Sequence, residues 1–541
     1  MKCTIFYDIL KTIQKSKQRT ESVLVSKTWI YMLFLLMLTG TLGACGKKTG
    51  PVKAVADEVE YAEQSEEMKA EGIIWPDVIP YMTTLPTSAE NAAIFVEPIE
   101  GLPGDFIKGI DASGILALEE NGVTFYNKEG NAQDFFQILA DSGINYIRVC
   151  VWNSSEDEKG ISKGNGYDAV TAAVIGRRAA ACDIKLLVDF HYADLGEDAL
   201  KQAAPKDWEN ITYWEKIDAI YTYTRESLEL ILAAGADVGM VQIGNEIEDG
   251  FAGETDWDHM LPLLKAASLA VRDVEKSRGR KLQIAVHPAD VSDRDRILQN
   301  AEILQNAELD YDVLGVSYRP YEHGSLEDLT ATLTQIHEKY EKKTAVLETA
   351  YTYSAEKYDT VHSLLPIGDL LPKYGGTVQS QASCIRDVMA ATAAAGEAAL
   401  GIFYWEEHGY GSGNTAPAGM NALHAESYWG QGSNRTQEMF DITGHPFASL
   451  DVFKYVNYGT ICDAAVDFVE TALIYMKAGE ALELPGEVSV IYNDRSLSKA
   501  EPVVWNEADY QDIRTDKAGE YMITGALEDG TKAACRVVIE E

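Results

Sequence analysis

The chain has 541 residues, more than one ordinary domain needs, and 46% of them are hydrophobic, so most of it is expected to fold. Its formal net charge is −39, from 85 acidic and 46 basic side chains. Such a charge opposes binding to nucleic acid, because that binding depends on cations that neutralise phosphates. Neutral partners such as polysaccharides are not excluded.

The N-terminal region predicts export. Several lysines and an arginine precede a short apolar run, Trp29–Leu38, which is too short to span a bilayer and is typical of a signal peptide. The following LGAC, which ends at Cys45, resembles a bacterial lipobox, in which the cysteine is lipidated after cleavage. We therefore expect a signal over 1–45 and a lipid anchor at Cys45 on the extracellular face of a bacterial membrane. An ordinary secretory signal, and thus a secreted protein, is the alternative.

Residues 46–100 separate this signal from the folded part. The stretch 46–72 is polar and acidic and is typical of a tether, whereas 73–100 has no assignable pattern.

Eight short apolar runs follow, each separated by a stretch long enough for a helix. They are 105–111, 144–152, 184–192, 240–246, 282–287, 311–318, 344–351 and 400–405. Near-continuous apolar runs are typical of parallel strands covered by helices, and eight repeats in 101–460 predict a TIM (β/α)8 barrel. A doubly wound open sheet is the alternative, but no glycine-rich phosphate loop follows the first strand.

The pattern of apolar and polar residues changes in the C-terminal region. Residues 480–541 alternate apolar and polar residues between turns such as Asn493-Asp494 and Asp529-Gly530, which predicts a small antiparallel all-β sandwich. Residues 461–479 are expected to form a helix or connector. Trp505 and Tyr521 are expected to belong to the core of the sandwich.

Cysteine spacing indicates neither a disulfide framework nor a zinc site. There are seven cysteines; beyond Cys3 and Cys45 the other five are scattered without paired spacing, so buried free thiols are expected.

Polar and aromatic residues gather where the predicted strands end, which in a TIM barrel is the face that carries the active site. These residues are Arg148, Trp152, Asp189, His191, Tyr192, Asn245, Glu246, His287, Tyr318, Glu348, Trp405 and Glu406. Aromatic rings beside carboxylates suit a sugar, because its apolar face stacks while its hydroxyls form hydrogen bonds.

Glu246 and Glu348 end predicted strands four and seven, which face each other across a barrel. Two carboxyl groups about 5 Å apart on either side of a glycosidic bond are the requirement for a retaining glycosidase. A glutamate in a surface salt bridge is the bland alternative for Glu246 alone; the second glutamate in VLETAY argues against it.

The motifs GINYIRVCVWN, LLVDFHYAD, VGMVQIGNEI, LGVSYRPYEHG, VLETAYTY and GIFYWE, in this order, resemble glycoside hydrolase family 53, the endo-β-1,4-galactanases that cut galactan side chains of pectin. The resemblance covers about Gly101 to Gly459. It implies that Glu246 is the proton donor and Glu348 the nucleophile. The residues expected to bind substrate are Arg148, Trp152, Asp189, His191, Asn245, His287, Tyr318 and Trp405. Arg148 could instead simply anchor a buried carboxylate such as Asp111.

The chain departs from the family pattern at several positions. Gly196 stands where a tryptophan is usual, Arg319 and Glu322 where aromatics are common, and Cys150 where an arginine is frequent. Bacterial members often hold calcium after the nucleophile strand, but here that stretch offers only Asp359 and His362, so neither a metal nor another cofactor is expected.

Residues 480–541 resemble a bacterial immunoglobulin-like domain of group 4, through VSVIYND, PVVWN and AGEYMITGAL. The sequence thus predicts a retaining endo-galactanase with an immunoglobulin-like domain. The alternatives are a glycosidase for another β-linked polysaccharide and a non-catalytic sugar-binding lipoprotein.

Overall fold

The computed structural model describes residues 75–154, 167–194, 202–354, 373–405, 437–441, 443–495 and 498–541. The signal, Cys45, the tether, Gly196, the stretch with Asp359 and His362, and Glu406 lie outside these ranges. No helix among the described residues combines the length and the apolar character needed to cross a membrane.

The eight predicted strands form a closed parallel barrel, which confirms the TIM-barrel prediction and excludes the open sheet. The strands are β1 Ile107–Asp111, β2 Tyr146–Val151, β3 Lys185–Phe190, β4 Val238–Ile243, β5 Gln283–Asp290, β6 Val313–Ser317, β7 Lys343–Thr349 and β8 Ala399–Tyr404. Each pairs in parallel with its neighbours, and β8 closes the ring on β1.

Helices cover the outside of the barrel. They are α1 Ile115–Glu120, α2 Phe135–Asp141, α3 Ala169–Ala180, α4 Tyr213–Ala233, α5 Trp257–Arg278, α6 Arg294–Asn306, α7 Leu326–Tyr340, α8 Val378–Ala393 and the short α9 Val452–Tyr455. Short 3-10 turns lie at Lys206–Trp208, Gly396–Ala398 and Ala448–Asp451. A side chain at the helix start accepts a backbone N–H in several cases, as Thr212 does for α4.

The barrel interior consists of an apolar layer below a polar one. Tyr146, Leu187, Met240, Ala285, Val313, Leu347 and Phe403 belong to the buried apolar cluster inside the ring. Successive inward positions on a strand lie two residues apart. The next inward residues after Tyr146, Leu187, Met240 and Ala285 are therefore Arg148, Asp189, Gln242 and His287. A polar layer thus follows at the C-terminal ends of the strands.

Two irregularities in the strands shape this polar layer. Between β5 and β6 the register shifts from Val286 to Ala289, and between β6 and β7 it shifts as the chain passes Leu347. The first shift inserts one extra residue on β5, and the second inserts one on β7. Each acts as a β-bulge, which changes the direction of the side chains that follow. Leu347 fills the apolar layer, and the extra residue lets the adjacent Glu348 face inward as well.

Residues 75–100, which have no assignable sequence pattern, lie against the barrel. The backbone N–H of Tyr81 donates to Ala181 and the Tyr81 hydroxyl to Asp141. Glu90–Asn91 pairs in parallel with Thr460–Ile461.

The C-terminal region is the predicted all-β domain. It contains β9 Val466–Val469, β10 Ala472–Lys477, β11 Glu487–Tyr492, β12 Ser498–Pro502, β13 Val504–Trp505, β14 Gly519–Ala526, β15 Lys532–Glu540 and the short helix α10 Glu507–Tyr510. They form a three-stranded sheet in the order β9-β11-β12 and a four-stranded sheet in the order β10-β15-β14-β13. As predicted, Trp505 and Tyr521 pack against its core.

The expected helix or connector over 461–479 is wrong, because β9 and β10 occupy most of it. Ala472, Ile474 and Met476 face the core of the domain while Leu473 and Tyr475 are exposed, which is a strand alternation. One pairing is also parallel rather than antiparallel, that of β10 with β15.

The domain contacts α8 of the barrel. Asp467 on β9 accepts from Ser380 at 2.8 Å and from Thr377, the N-cap residue of α8. Arg495 lies 2.7 Å from Asp387 of the same helix. Phe468 packs so closely on Gly375 that a Cβ there would come within 2.5 Å of its ring. The described cysteines are free thiols, and all but the half-buried Cys462 are buried, as expected.

Candidate active site

Arg148 lies at the centre of the polar layer and is 1% exposed. Its Nη2 donates to Asp189 Oδ2 at 2.8 Å, to Glu348 Oε1 at 2.9 Å and to Asn245 Oδ1 at 3.1 Å. Its Nη1 lies 3.4 Å from Asp111. Arg148 therefore does anchor Asp111, and it also joins three other predicted site residues. Buried charges are stable only when paired in this way.

Glu348 is 5% exposed, and cations flank both of its oxygens. Besides Arg148 at Oε1, the Nη2 of Arg319 lies 3.6 Å from Oε2. Burial alone would raise the pKa of Glu348, but Arg148, His287 and Arg319 outweigh it and lower the pKa below its ordinary value. The carboxyl group is therefore ionised near neutral pH and available as a nucleophile.

Glu246 has the opposite environment. Burial, followed by the negative charge of Glu348, raises its pKa to about 7. Among the described residues, the side chain of Glu246 forms one hydrogen bond, with the hydroxyl of Ser317, which lies 2.7 Å from Oε1. A carboxyl group with this pKa retains its proton at mildly acidic pH and can act as a general acid.

The backbone around Glu246 is strained in a way that aims its side chain. Glu246 has φ +45°, a left-handed conformation that costs non-glycine residues about 1–3 kcal/mol. Gly244 has φ +94°, and a Cβ there would lie 2.6 Å from Ile247. Gln202 holds the turn by donating to the carbonyl of Asn245 at 2.9 Å. This explains why Gly-Asn-Glu ends the strand.

His191, Trp152 and Asp189 form one wall of the site. The Nε2 of His191 lies 2.9 Å from Asp189, and its ring stacks on Trp152 with centroids 4.1 Å apart. His191 and Arg148 lower the pKa of Asp189 despite its burial. The three predicted residues therefore lie together.

Cys150, Asp189 and His191 are the one group of possible metal ligands among the described residues. Burial and Asp111 raise the pKa of the Cys150 thiol, so it stays protonated. The guanidinium group of Arg148 already neutralises Asp189. A second cation beside Arg148 would be repelled, so we assign the group to the wall of the site.

Two of the candidate residues lie outside the site. The hydroxyl of Tyr192 lies 2.8 Å from that of Thr224 on α4, and Tyr318 is the second. It is 1% exposed and its hydroxyl donates to the carbonyl of Gly324 at 3.0 Å, among Cys384, Glu327 and Asp328 outside the barrel. Because alternate residues of a strand face opposite sides, Ser317 and Arg319 face the site instead. The expectation that Tyr318 binds substrate is therefore wrong.

Arg319 and Trp405 lie together at the mouth. The guanidinium carbon of Arg319 lies 4.9 Å from the centroid of the Trp405 ring. A cation on an aromatic face is favourable. Arg319, which departs from the family pattern, is therefore a component of the site.

Sequence reasoning missed Ser317 and Gln242. The amide of Gln242 donates to Asn245 Oδ1 at 3.0 Å. Each is the last inward position of its observed strand, Gln242 on β4 and Ser317 on β6, but the apolar runs alone did not mark which strand-end residue faces inward.

Comparison with known proteins assigns each of the two folded regions to a family. The model of glycosyl hydrolase family 53 matches residues 107–453, and that of the bacterial Ig-like domain (group 4) matches residues 469–531. The second match begins before the predicted boundary at 480, in agreement with β9 and β10.

The chain is similar to galactanases along most of their length. It is 41% identical over 390 residues to the endo-beta-1,4-galactanase of Bacillus subtilis, covering 68% of this chain and 90% of that protein. It is 29% identical to the arabinogalactan endo-beta-1,4-galactanase of Cellvibrio japonicus, covering 62% of this chain and 87% of that one.

A solved structure shares the barrel. The GH53 catalytic domain of Ignisphaera aggregans superposes with a TM-score of 0.60 at 34% identity, covering 68% of this chain and 99% of that domain.

Proposed function

The chain belongs to glycosyl hydrolase family 53, and we propose that it is a retaining endo-β-1,4-galactanase acting on galactan and type I arabinogalactan side chains of pectin. The observation that carries the proposal is the opposite environment of its two inward glutamates, with two guanidinium groups beside Glu348 and a neutral hydroxyl beside Glu246. Glu246 has a pKa raised to about 7, while the pKa of Glu348 is lowered. Two carboxyl groups whose environments separate their pKa values are suited to paired acid and nucleophile roles.

In the first half-reaction Glu348 attacks the anomeric carbon while Glu246 protonates the leaving glycosidic oxygen. Arg148 holds Glu348 Oε1 at 2.9 Å, which leaves Oε2 for the new bond to carbon. In the second half-reaction Glu246, now ionised, removes a proton from water, and that water releases the sugar from Glu348. Configuration is retained because the anomeric carbon is inverted twice.

The substrate assignment derives from the galactanases that the chain resembles. The wall of Trp152 and His191 and the ring of Trp405 supply aromatic surface for a sugar face, and Asn245 lies beside Glu246 for contact with a sugar hydroxyl. Arg319 on Trp405 favours one alternative, a glycosidase for another β-linked polysaccharide, because it changes the surface that a sugar would meet.

The experiment is release of reducing ends from β-1,4-galactan, type I arabinogalactan and xylan by the chain and by its Glu348→Gln variant. We expect release from the two galactans only, with none by the variant. NMR of the first product should show the β-anomer before mutarotation. Activity confined to xylan would overturn the substrate, the α-anomer would overturn retention, and inactivity on all three would favour the non-catalytic sugar-binding alternative.

We also propose a lipid anchor at Cys45 on the extracellular face of the membrane, supported by the sequence alone. Labelled palmitate should be incorporated into the chain but not into Cys45→Ala. Incorporation into both would contradict Cys45 as the site of the lipid, and incorporation into neither would leave the secreted form. Independence from calcium remains a prediction, which activity after EDTA treatment checks.

A further inference from the structure

A continuous hydrogen-bond chain joins Arg148 to Glu246 without passing through Glu348. Arg148 Nη2 lies 3.1 Å from Asn245 Oδ1, which lies 2.9 Å from His287 Nδ1. His287 Nε2 lies 3.0 Å from Ser317 Oγ, which lies 2.7 Å from Glu246 Oε1. His287 and Ser317 are fully buried, so these contacts are shielded from bulk solvent.

The direction of each bond follows from Arg148, because a guanidinium group only donates. The atom of Asn245 that faces it is therefore the oxygen. That same oxygen faces His287 Nδ1, so Nδ1 carries a hydrogen. Burial lowers the pKa of His287 to about 4, so near neutral pH its other nitrogen, Nε2, is bare and accepts.

Ser317 completes the chain with one hydrogen. If its hydroxyl donates to His287 Nε2, only its lone pairs face Glu246. The contact of 2.7 Å with Glu246 Oε1 then requires a hydrogen on the carboxyl group. While Glu246 is protonated, hydrogen-bond direction therefore points its carboxyl proton at Ser317; once Glu246 is ionised, the same hydroxyl can turn and donate to it.

We propose that Ser317 is a positioning residue for Glu246, whose hydroxyl accepts the carboxyl proton in the empty site and donates to the carboxyl group during the reaction. This rests on the proposed function, since it assigns Glu246 the acid/base role. In the empty site Glu246 Oε1–H points to Ser317. When substrate binds, a half-turn of the carboxyl group presents the O–H to the glycosidic oxygen, and Ser317 turns its own hydrogen to the other oxygen.

The proton balance is closed within each half-reaction. The Glu246 O–H bond breaks as the proton joins the leaving oxygen, and the resulting carboxylate keeps the hydrogen bond from Ser317. Water later returns one proton to Glu246, and the serine hydroxyl turns back to His287. No proton enters or leaves His287 during the cycle.

Other charged groups also act on Glu246, and they face it from several elements. Glu348 on β7 raises its pKa, whereas Arg319 after β6 and Arg148 on β2 lower it, as does the hydrogen bond from Ser317. On its own segment Glu248 also lies close enough to interact with it. A test must therefore change Ser317 alone and leave these charges in place.

The test compares Ser317→Ala, Ser317→Thr and the control Ser268→Ala. Ser268 is a buried serine of α5 whose hydroxyl donates to the carbonyl of Asp310, outside the site. Ser317→Ala removes the donor to ionised Glu246, so the basic limb of kcat/KM should move up by about half to one pH unit. The value of kcat on galactan should fall roughly tenfold. Ser317→Thr, which keeps the hydroxyl, should restore both, and Ser268→Ala should change neither.

A second readout does not require activity. NMR of chain labelled with 13C in its glutamate carboxyl groups, with Glu246 assigned from Glu246→Gln, follows its titration directly. The Glu246 resonance should titrate at higher pH in Ser317→Ala than in wild type. An unchanged titration would overturn the proposal, whereas a shifted titration in a chain that hydrolyses no galactan would overturn the proposed function and leave this role intact.

Discussion

The surroundings of the two inward glutamates differ in kind. Glu348 lies between the guanidinium groups of Arg148 and Arg319, so charge acts on it directly. Glu246 has no ion pair shorter than 4 Å among the described residues, and its side-chain partner is the neutral Ser317. Cations lower the pKa of Glu348 against the effect of its burial, whereas burial raises the pKa of Glu246, whose side-chain partner is neutral.

The two environments are also built differently. The bulge at Leu347 turns Glu348 into the cationic centre of the polar layer. Glu246 instead lies beyond the end of β4, on a turn with positive φ. One residue is thus placed by strand register and the other by a strained loop.

Replacing the nucleophile Glu348 should impair the enzyme most. Glu348→Gln should lower kcat on galactan by about 10⁴- to 10⁶-fold, since covalent attack at the anomeric carbon is lost. Thermal unfolding followed by circular dichroism checks that the barrel remains folded. Substantial activity in a folded variant would contradict the assignment of Glu348.

Glu246→Gln should have the next largest effect and should depend on the leaving group. Loss of the general acid should lower kcat/KM on galactan by about 10²- to 10⁴-fold. A dinitrophenyl galactobioside needs no protonation of its leaving group, so its kcat/KM should change far less. Equal losses on both substrates would assign Glu246 a role other than acid catalysis.

Arg148→Lys tests the cationic environment of Glu348. Lysine keeps the charge but lacks the planar guanidinium group that donates to several acceptors at once. The loss of one such hydrogen bond should lower kcat/KM by about 10- to 100-fold. Because Arg148 stabilises the ionised form of Glu348, weaker pairing raises the pKa of Glu348. The acidic limb should therefore move to higher pH.

The matched control for this change is Arg178→Lys. Arg178 also pairs with two carboxylates, Glu119 and Asp134, but on α3 outside the site. Its pH profile should match that of wild type. A similar shift in both variants would indicate a general loss of stability rather than an effect on Glu348.

Arg319→Met should have the smallest effect. This side chain is partly exposed and lies 3.6 Å from Glu348, so its loss should change kcat/KM by no more than about fivefold. The acidic limb should shift in the same direction as in Arg148→Lys, but by less. A rise in KM for galactan well beyond that range would instead indicate that Arg319 binds substrate directly.

Most of the barrel was predictable because parallel strands carry a strong apolar signal. All eight strands occur where the apolar runs are, and nearly all of the predicted site residues that the structure describes lie in the polar layer. The prediction that Tyr318 binds substrate was wrong because the apolar run marks the end of β6 but not which of Ser317, Tyr318 and Arg319 faces inward. The prediction of a helix or connector over 461–479 was wrong because a short apolar run does not distinguish a helix from a strand.

The eight-stranded architecture and the two glutamates could be predicted from the residues alone, because strand periodicity and the identity of strand-end residues are local properties. The folded barrel was needed to show that Leu347 and Glu348 both face inward, that Arg319 lies on Trp405, and that Ser317 joins His287 to Glu246. These facts depend on a register shift and on contacts between strands far apart in sequence. Each inward direction is therefore fixed by the neighbouring strands once the barrel closes.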